Sequence, residues 1–413
     1  MRDVIIIGGG LTGLTCARTC KEAGLDFLLL EAGAQLGGRV GSEHVNGFVL
    51  DKGFQIFLSA YPEARRWLDY DALDLKAFYP GALIQTRQGP VLLGDPLREP
   101  ADALATTLAR IGSLEDKLRV LKLREGLKRL PLEALTRYAD RSTALELRQL
   151  GFSEGFIQRF FQPFLAGVFL EPELQTRADF FYFVMKMFSL GQATVPAAGM
   201  QAIPEQLARW IPAEHLRLKM PVAYADAGRV VLQNGENLPA RAVVVATDYS
   251  TAARLLKLPP RRWNASRTLY FAAESSPLER PILMLNGQGT RPVNNLSVMS
   301  LVSADYAPAG QHLIALSLLG ASAAIPLPEI LPAVHRQLKG WFGDLAAGWE
   351  LLKDLQIPQS LPLQSPLGGS MSGTRRLAPG LYLGGDHSEN ASINGAMRAG
   401  RLLAEQILQD LKG

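Results

Sequence analysis

Three glycines that follow an apolar run near the N terminus constrain the fold of this chain more than any other feature. The run VIII at residues 4–7 is β-branched throughout and ends at glycine, as does a strand buried inside a parallel sheet. Gly8, Gly10 and Gly13 come next in a Gly-x-Gly-x-x-Gly spacing, followed by an amphipathic helix pattern. A second apolar run, FLLL at residues 27–30, ends at Glu31. This order of strand, glycines, helix, strand and acid is typical of a dinucleotide-binding unit.

Each of these positions has a physical role in such a unit. Gly8 permits the tight turn, Gly10 lets the backbone approach a pyrophosphate, and Gly13 lets the helix pack closely on the strand. The positive end of the helix favours phosphate groups, and Glu31 is placed to accept a hydrogen bond from a ribose hydroxyl. An ordinary glycine turn is the alternative if the glycines are taken alone. The neighbours expected to contact the same ligand are Leu11, Thr12 and Ala32.

The residues after Glu31 indicate which dinucleotide binds. Six residues separate Glu31 from Gly38-Arg39, and the segment DKGFQ follows at residues 51–55. This pattern resembles the amine oxidase, phytoene desaturase and protoporphyrinogen oxidase superfamily of FAD enzymes. The resemblance implies that Gly38 and Arg39 lie along the pyrophosphate and flavin, although a surface arginine is the alternative for Arg39. It also implies that Gly53, Phe54 and Gln55 run near the isoalloxazine.

The C-terminal residues resemble a second signature of the same superfamily. A strand pattern at residues 381–383 leads to Gly385-Asp386, and the helix pattern NGAMRAG occupies residues 394–400. The resemblance implies that Asp386 accepts hydrogen bonds from ribityl or phosphate-side hydroxyls, and that the helix N terminus points its N–H groups at the flavin pyrimidine. An ordinary strand-to-helix turn is the alternative. The further cofactor contacts implied are Val222, Ala246, Gly385, Asp386, Ile393, Asn394 and Ala396.

Motifs for one cofactor at both ends of the chain predict two interleaved domains rather than domains in series. For 413 residues we predict an α/β fold, with a Rossmann-type FAD-binding domain and an α+β substrate domain made of a mixed sheet plus a helical bundle. The FAD-binding domain is expected at residues 1–76, 193–260 and 345–413, and the substrate-binding domain at 77–192 and 261–344. A hairpin is expected over 77–93, helices over 101–190 and strands over 262–319.

Composition excludes several classes of protein. The 43 basic and 39 acidic residues give a net charge of +4 without a concentrated basic face, so no nucleic-acid partner is expected. Cys16 and Cys20 are the only cysteines, which excludes a disulfide framework and favours the reducing cytoplasm. No His or Cys spacing typical of a metal site occurs, so no metal is expected. No apolar run approaches the roughly 18 residues of a transmembrane helix.

Three departures from the amine oxidases of the superfamily disfavour an amine substrate. No cysteine lies between Asp386 and the C-terminal helix, so the FAD is expected to be non-covalent. An aromatic ring that those oxidases place opposite the flavin corresponds here to Ser392. The strand SRTLYF at residues 266–271 lacks the flavin-facing lysine that many of them carry.

A phenylalanine-rich segment suggests the substrate pocket. Ten of the 17 phenylalanines lie between Phe152 and Phe188, and an aromatic lining suits a small hydrophobic substrate of the isoprenoid or lipid-like kind. A helical core is the alternative for each of them. The predicted lining residues are Phe160, Phe161, Phe164 and Phe183.

Two further features have open interpretations. The basic, leucine-rich residues 117–130 suit peripheral contact with an anionic membrane surface, or else form a solvated helix with one apolar face. His387 follows Asp386 and is the candidate catalytic residue near the flavin, although a loop histidine is the alternative.

The sequence therefore predicts an FAD-dependent oxidoreductase that passes hydride from a hydrophobic substrate to flavin N5, with oxygen or a quinone as electron acceptor. One alternative is a flavin amine oxidase that produces hydrogen peroxide. A second alternative is a non-catalytic prenyl- or lipid-binding protein with the fold of the GDP-dissociation inhibitors. The intact glycine, Glu31, Gly38-Arg39 and Asp386 motifs argue against the second.

Overall fold

The computed structural model describes residues 1–366 and 375–412 of the chain. The strands are, in chain order, β1 (Arg2–Ile7), β2 (Phe27–Leu30), β3 (Ser42–Val45), β4 (Phe48–Asp51), β5 (Phe57–Leu58), β6 (Leu75–Ala77), β7 (Gly81–Thr86), β8 (Gly89–Gly94), β9 (Ala193–Pro196), β10 (Leu216–Arg217), β11 (Val222–Ala225), β12 (Arg229–Leu232), β13 (Asn237–Val245), β14 (Trp263–Ala273), β15 (Leu283–Asn286), β16 (Val293–Val298), β17 (His312–Leu319), β18 (Glu350–Pro362), β19 (Arg375–Ala378) and β20 (Leu381–Leu383). The α-helices are α1 (Leu11–Glu22), α2 (Pro62–Trp67), α3 (Tyr70–Leu73), α4 (Ala103–Leu108), α5 (Leu114–Arg129), α6 (Thr143–Gln149), α7 (Glu154–Phe156), α8 (Gln162–Phe169), α9 (Ala178–Leu190), α10 (Ala202–Ala208), α11 (Tyr249–Leu256), α12 (Met299–Val302), α13 (Ala321–Ala324), α14 (Leu327–Phe342) and α15 (Ile393–Lys412).

The first sheet is a parallel sheet that draws strands from both ends and the middle of the chain. Strands β10, β2, β1, β13 and β20 lie side by side in parallel, while β12 and β11 extend β13 as an antiparallel ribbon. Both faces of β1 are covered, because Val4 and Ile6 pack with α1 whereas Ile5 and Ile7 pack with α11. Burial on both sides explains why this strand is an uninterrupted apolar run.

The second sheet has seven strands in the order β18-β14-β17-β16-β15-β7-β8. Its neighbouring strands are antiparallel except for β15 and β7, which run parallel. Helix α14 packs on one face of this sheet through Ile330, Val334 and Leu338. The predicted α/β fold with a mixed second sheet is thereby confirmed.

The helices between β8 and β9 form an aromatic-rich layer. A π-helical turn at Ile157–Phe161 connects α7 to α8 and interrupts the regular helical spacing of the phenylalanines. Phe160 stacks on Phe164 with 5.7 Å between ring centroids. Phe161 instead turns into the core, where it contacts Phe152 and Phe156.

Strand β18 corrects the domain boundary that the sequence suggested at residue 345. The segment 345–413 was assigned to the FAD-binding domain, but β18 within it pairs with β14 along most of its length. Pairing with the edge of the second sheet satisfies the backbone hydrogen bonds of this long strand. Residues 350–362 therefore belong to the second sheet.

Most of the basic segment 117–130 lies on α5, and three of its six basic side chains form ion pairs. No helix of the described residues is long and apolar enough to cross a membrane. On α5, Leu127 is buried in the core, whereas Leu114 and Leu118 are exposed. The ion pairs of this helix are Arg119 with Glu115, Lys128 with Glu125, and Arg124 with Asp95.

Candidate functional site

A cavity of about 650 Å³ lies between the carboxyl ends of the parallel strands and the open face of the second sheet. Ile7, Leu30 and Ala246, which end or follow β1, β2 and β13, line it on one side. Ser317 and Asn295 of the second sheet line it on the other side. Ligands of open parallel sheets bind at this edge, so the cavity is the candidate functional site.

The glycine turn leaves the beginning of α1 open toward this cavity. Gly8 has a φ of +110°, and a Cβ at this position would lie 2.9 Å from the Ala246 carbonyl oxygen. A Cβ on Gly13 would lie 1.9 Å from the Gly8 carbonyl oxygen, so this glycine is required for packing. A Cβ on Gly10 would meet no atom within 4 Å. Helix α1 has neither a side-chain cap nor an acid in its first turn, so its free N–H groups are available to an anionic ligand.

Glu31 is fixed at the edge of the cavity by the backbone around it. Its Oε2 accepts a hydrogen bond from Gly9 N at 2.6 Å, and its Oε1 accepts one from Gly33 N at 2.7 Å. Each carboxylate oxygen keeps a further lone pair. The orientation of Glu31 is therefore set, and its acceptor capacity toward a ligand remains.

The Gly-Arg and Gly-Asp motifs from opposite ends of the chain meet in an ion pair that the sequence did not reveal. Arg39 donates two hydrogen bonds to Asp386, from Nη1 to Oδ2 at 2.8 Å and from Nη2 to Oδ1 at 2.7 Å. Arg39 also donates to the Ser360 carbonyl at 2.8 Å and lies over the Trp263 ring. Burial alone would raise the pKa of the Asp386 carboxyl, but the charge and hydrogen bonds of Arg39 outweigh it and lower that pKa. Both residues line the cavity as a fixed charged pair.

The loop at residues 52–55 lies along the cavity and is tied to the elements around it. Phe54 N donates to the Thr268 hydroxyl at 3.0 Å. Gln55 Nε2 donates to the carbonyls of Arg39 and Lys52, each at 2.9 Å. Gly53 has a φ of +87°, which favours glycine at this turn.

A buried hydrogen-bond network holds the start of this loop. Asp51 Oδ1 accepts from the Ser42 hydroxyl at 2.6 Å and from Met200 N at 2.9 Å, and Oδ2 accepts from the Tyr306 hydroxyl at 2.8 Å. The Tyr270 hydroxyl donates to the Asp51 carbonyl at 3.0 Å. Burial raises the pKa of the Asp51 carboxyl to about 6, although its hydrogen bonds oppose the shift. The sequence showed Asp51 only as part of a motif, because its tyrosine partners are 219 and 255 residues away.

Helix α15 completes the cavity by packing against α1. The Thr12 hydroxyl donates to the Ala396 carbonyl at 2.9 Å, and the Thr15 hydroxyl donates to the Met397 carbonyl at 3.0 Å. A Cβ on Gly400 would lie 2.1 Å from the Thr12 carbonyl oxygen, so the close approach depends on this glycine. The two helix N termini are thus brought to the same cavity.

Most of the cofactor contacts expected from the sequence line this cavity, and two do not. Gly13 is buried beneath the turn, as its packing role requires. Asn394 is buried, and its Oδ1 accepts a hydrogen bond from Glu63 N at 3.0 Å instead of facing the cavity. The expected contacts that line the cavity are Gly8, Gly10, Leu11, Thr12, Glu31, Ala32, Gly38, Arg39, Gly53, Phe54, Gln55, Val222, Ala246, Gly385, Asp386, Ile393 and Ala396.

His387 is buried and lies off the cavity lining, which corrects its assignment as a candidate catalytic residue. Its ring packs edge-on against Tyr249, with 5.1 Å between centroids. Burial lowers the pKa of His387 to about 4, so the imidazole is neutral near pH 7.

A second chamber of about 320 Å³ adjoins the main cavity beyond an apolar constriction. Phe164, Phe188 and Leu283 line both spaces. Phe160 lines only the second chamber. Among the described lining residues of the main cavity, those from segment 163–188 and from the second sheet carry no charge.

Two of the four predicted pocket phenylalanines belong to the core instead. Phe161 is fully buried, because the π turn rotates it away from Phe160 and Phe164. Phe183 stacks on Tyr61 with 6.0 Å between centroids, and Tyr61 rather than Phe183 reaches the cavity. Of the four, Phe164 lines the main cavity and the second chamber, and Phe160 lines the second chamber.

Comparison with known proteins identifies the family of this chain. A model of the flavin containing amine oxidoreductases matches residues 11–408. The chain belongs to this family. It is 28% identical to (S)-6-hydroxynicotine oxidase of Paenarthrobacter nicotinovorans over 293 aligned residues. The alignment covers 63% of this chain and 64% of that protein. It is 26% identical to protoporphyrinogen oxidase 2, chloroplastic/mitochondrial, of Arabidopsis thaliana over 166 aligned residues. That alignment covers 40% of this chain and 32% of that protein.

A solved structure shows the same fold over the whole length. A triple mutant of putrescine oxidase matches with a TM-score of 0.73 and 15% identity, over 99% of each chain. In sequence, the chain spans less than two thirds of either curated relative described above. Membership in the flavin-containing family confirms both the superfamily resemblance and the predicted FAD cofactor.

Proposed function

We propose that the cavity holds FAD and that the chain oxidises an uncharged, hydrophobic substrate bound beside it. The observation that carries this proposal is the division of the cavity lining. The charged lining residues all lie outside the helical layer and the second sheet, and the wall that these two make is uncharged in the described residues; the charged residues are Glu31, Arg39, Lys52, Asp248, Arg254 and Asp386. A polar dinucleotide fits the first part, and a hydrophobic substrate fits the second.

The first part of the cavity has the groups that a dinucleotide requires. The open backbone at Gly10 and the uncapped start of α1 suit a pyrophosphate. Glu31 keeps acceptor capacity for ribose hydroxyls. The N terminus of α15 provides positive dipole character at Ile393 and Ala396, which favours negative charge on a nearby ring. No cysteine occurs between Asp386 and α15, so we expect non-covalent binding.

The reaction requires the flavin part and the hydrophobic part of the cavity to lie side by side. A bound flavin supplies hydride acceptance at its N5 atom. The chain itself positions the substrate between the loop at 52–55 and the second sheet, and its apolar wall at Phe164 and Phe188 excludes water from the reacting carbon. His387 is neutral and lies off the lining, so it is not assigned a proton-transfer step.

The second candidate function is that of an amine oxidase, because the curated relatives include (S)-6-hydroxynicotine oxidase. A cationic amine gains from an acid or an aromatic cage in its pocket. The described lining from the helical layer and the second sheet has no acid that could pair with an ammonium group. The aromatic residues of the cavity are Phe54, Tyr61, Phe164, Phe180 and Phe188. This composition favours an uncharged substrate.

Steady-state assays with two substrate panels test the proposal. The purified enzyme is incubated with isoprenoid alcohols, polyenes and porphyrinogens, and separately with putrescine and aromatic amines. Hydrogen peroxide formation and quinone reduction are measured for each compound. We expect turnover with members of the first panel. Turnover confined to the amines would replace the proposal with the amine oxidase alternative.

A further inference from the structure

Three polar side chains form a continuous row across the second sheet, on the face that lines the cavity. Thr268 of β14 is paired with Ser317 of β17, which is paired with Asn295 of β16. All three line the main cavity, yet their exposed fractions are only 2%, 7% and 2%. We call this row the polar stripe.

The polar stripe borders apolar residues on the side of β15, whereas Ser266, Gln359 and Ser360 continue the polar lining toward β18. The next residues along the same strands, Leu269, Leu316 and Leu296, are fully buried on the opposite face under α14. On the cavity face, Leu283 and Leu285 of the adjoining strand line the same wall. A polar group buried in an apolar wall is unfavourable unless it is hydrogen-bonded. The side chains of the polar stripe therefore require hydrogen-bond partners, which leucines at the same positions would not.

The protein satisfies only part of this requirement. Asn295 Nδ2 donates to the Ser317 hydroxyl at 3.2 Å, and Asn294 Nδ2 donates to Asn295 Oδ1 at 2.9 Å. Since Ser317 accepts in this bond, its own hydroxyl proton is left for another acceptor. The second amide proton of Asn295 is likewise left over. The spare capacity at this end of the polar stripe is two donors, together with one acceptor lone pair on Ser317 Oγ and one on Asn295 Oδ1, and it carries no charge.

We propose that Ser317 and Asn295 bind an uncharged oxygen group, a hydroxyl or a carbonyl, at one end of a hydrophobic substrate. This inference rests on the proposed function and specifies the substrate class of the same site. Two converging donors match an oxygen acceptor. An ammonium group could use only the two acceptor lone pairs, would leave both donors unpaired and would meet no acid on this part of the lining.

The register of the sheet also orients the substrate. Thr268 accepts the hydrogen bond of Phe54 N and so marks the end of the polar stripe beside the loop at 52–55. Neighbouring strands lie about 4.8 Å apart, which puts Asn295 roughly 10 Å from Thr268 across the sheet. The oxygen group at Ser317 and Asn295 thus lies on the far side of the wall from this loop. The hydrophobic body then extends along Phe164 and Phe188.

Matched isoprenoid probes test this assignment by binding rather than by turnover. Farnesol, farnesene and farnesylamine share one carbon skeleton and differ in the terminal group. Their dissociation constants for the FAD-loaded enzyme are measured by isothermal titration calorimetry, for the wild type and for Ser317→Ala and Asn295→Leu. Ser297→Ala is the control, because Ser297 lies two residues further along β16, is fully buried and is not among the residues lining the cavity.

We expect the wild type to bind farnesol about tenfold more tightly than farnesene, as one additional hydrogen bond allows. Ser317→Ala and Asn295→Leu should remove this preference without weakening farnesene binding, and Ser297→Ala should preserve it. Equal affinity of the wild type for farnesol and farnesene, or a preference that survives in Ser317→Ala, would overturn the role of the polar stripe alone. Tightest binding of farnesylamine would overturn the proposed function itself.

Discussion

Replacing Gly10 by alanine should weaken cofactor binding while leaving the protein fold intact. Gly10 precedes α1 with a φ of −73° and a ψ of 178°, a conformation that alanine adopts without strain. A Cβ at this position meets no protein atom within 4 Å and lies at the cavity wall. We therefore expect the free energy of unfolding of the apoprotein to change by less than about 0.5 kcal/mol.

The cost of this substitution arises only when the dinucleotide is bound. A methyl group forced into a close contact costs about 1–3 kcal/mol, which corresponds to a roughly 5- to 150-fold rise in the Kd for FAD. The Kd is measured by titrating apoprotein into FAD and following the quenching of flavin fluorescence. Urea unfolding of the same apoprotein gives the stability.

Gly126→Ala is the matched control for this experiment. Gly126 lies in α5, far along the chain from the glycine turn, and its Cβ would also meet no atom within 4 Å. Alanine should stabilise the helix by about 0.5–1 kcal/mol and leave the Kd for FAD unchanged. An undiminished FAD affinity in Gly10→Ala would refute the placement of the pyrophosphate at this turn. A marked loss of apoprotein stability would refute the open geometry of Gly10.

Three other predictions address the residues that the structure reassigned. Burial raises the pKa of Asp51 to about 6, so at this residue the native state binds more protons than the unfolded chain between about pH 4 and pH 6. The free energy of unfolding of the wild type, measured by urea titration relative to that of Asp51→Asn, should therefore fall by ~3 kcal/mol as pH rises through this window. His387→Leu should retain FAD and a kcat/KM within about threefold of the wild type, since the ring is not among the residues that line the cavity. A roughly hundredfold fall in kcat/KM would restore His387 as a catalytic residue. Phe161→Ala should lower the free energy of unfolding by about 3–5 kcal/mol, whereas Phe164→Ala should mainly raise the KM for hydrophobic substrates; equal effects on stability would contradict the assignment of one to the core and the other to the pocket.

The parts of the fold that the sequence predicted correctly are those whose signal is local. Strand β1, the glycine turn, α1 and β2 follow one another within 30 residues, and each carries its own pattern. The start of α15 was recognisable for the same reason, as an amphipathic helix after Gly385-Asp386.

What the sequence did not predict depends on contacts between distant residues or on irregular backbone. The ion pair of Arg39 with Asp386 joins residues 347 apart. Phe161 lies in the core and Phe164 lies at the cavity because a π turn shifts the helical spacing by one residue. The amino-acid composition gives no sign of such a turn. Strand β18 lacks a simple alternating pattern because its side chains are half-buried on both faces, so the sequence did not separate it from the C-terminal segment expected in the FAD-binding domain.

Anaerobic reduction of the bound flavin tests the central claim most directly. The purified FAD-loaded enzyme is mixed without oxygen with an uncharged isoprenoid panel and, separately, with an amine panel, while the visible flavin absorbance is followed. We expect the yellow absorbance to be lost with at least one uncharged isoprenoid and to persist with the amines. Loss of absorbance with amines alone, or a purified protein without flavin absorbance, would contradict it.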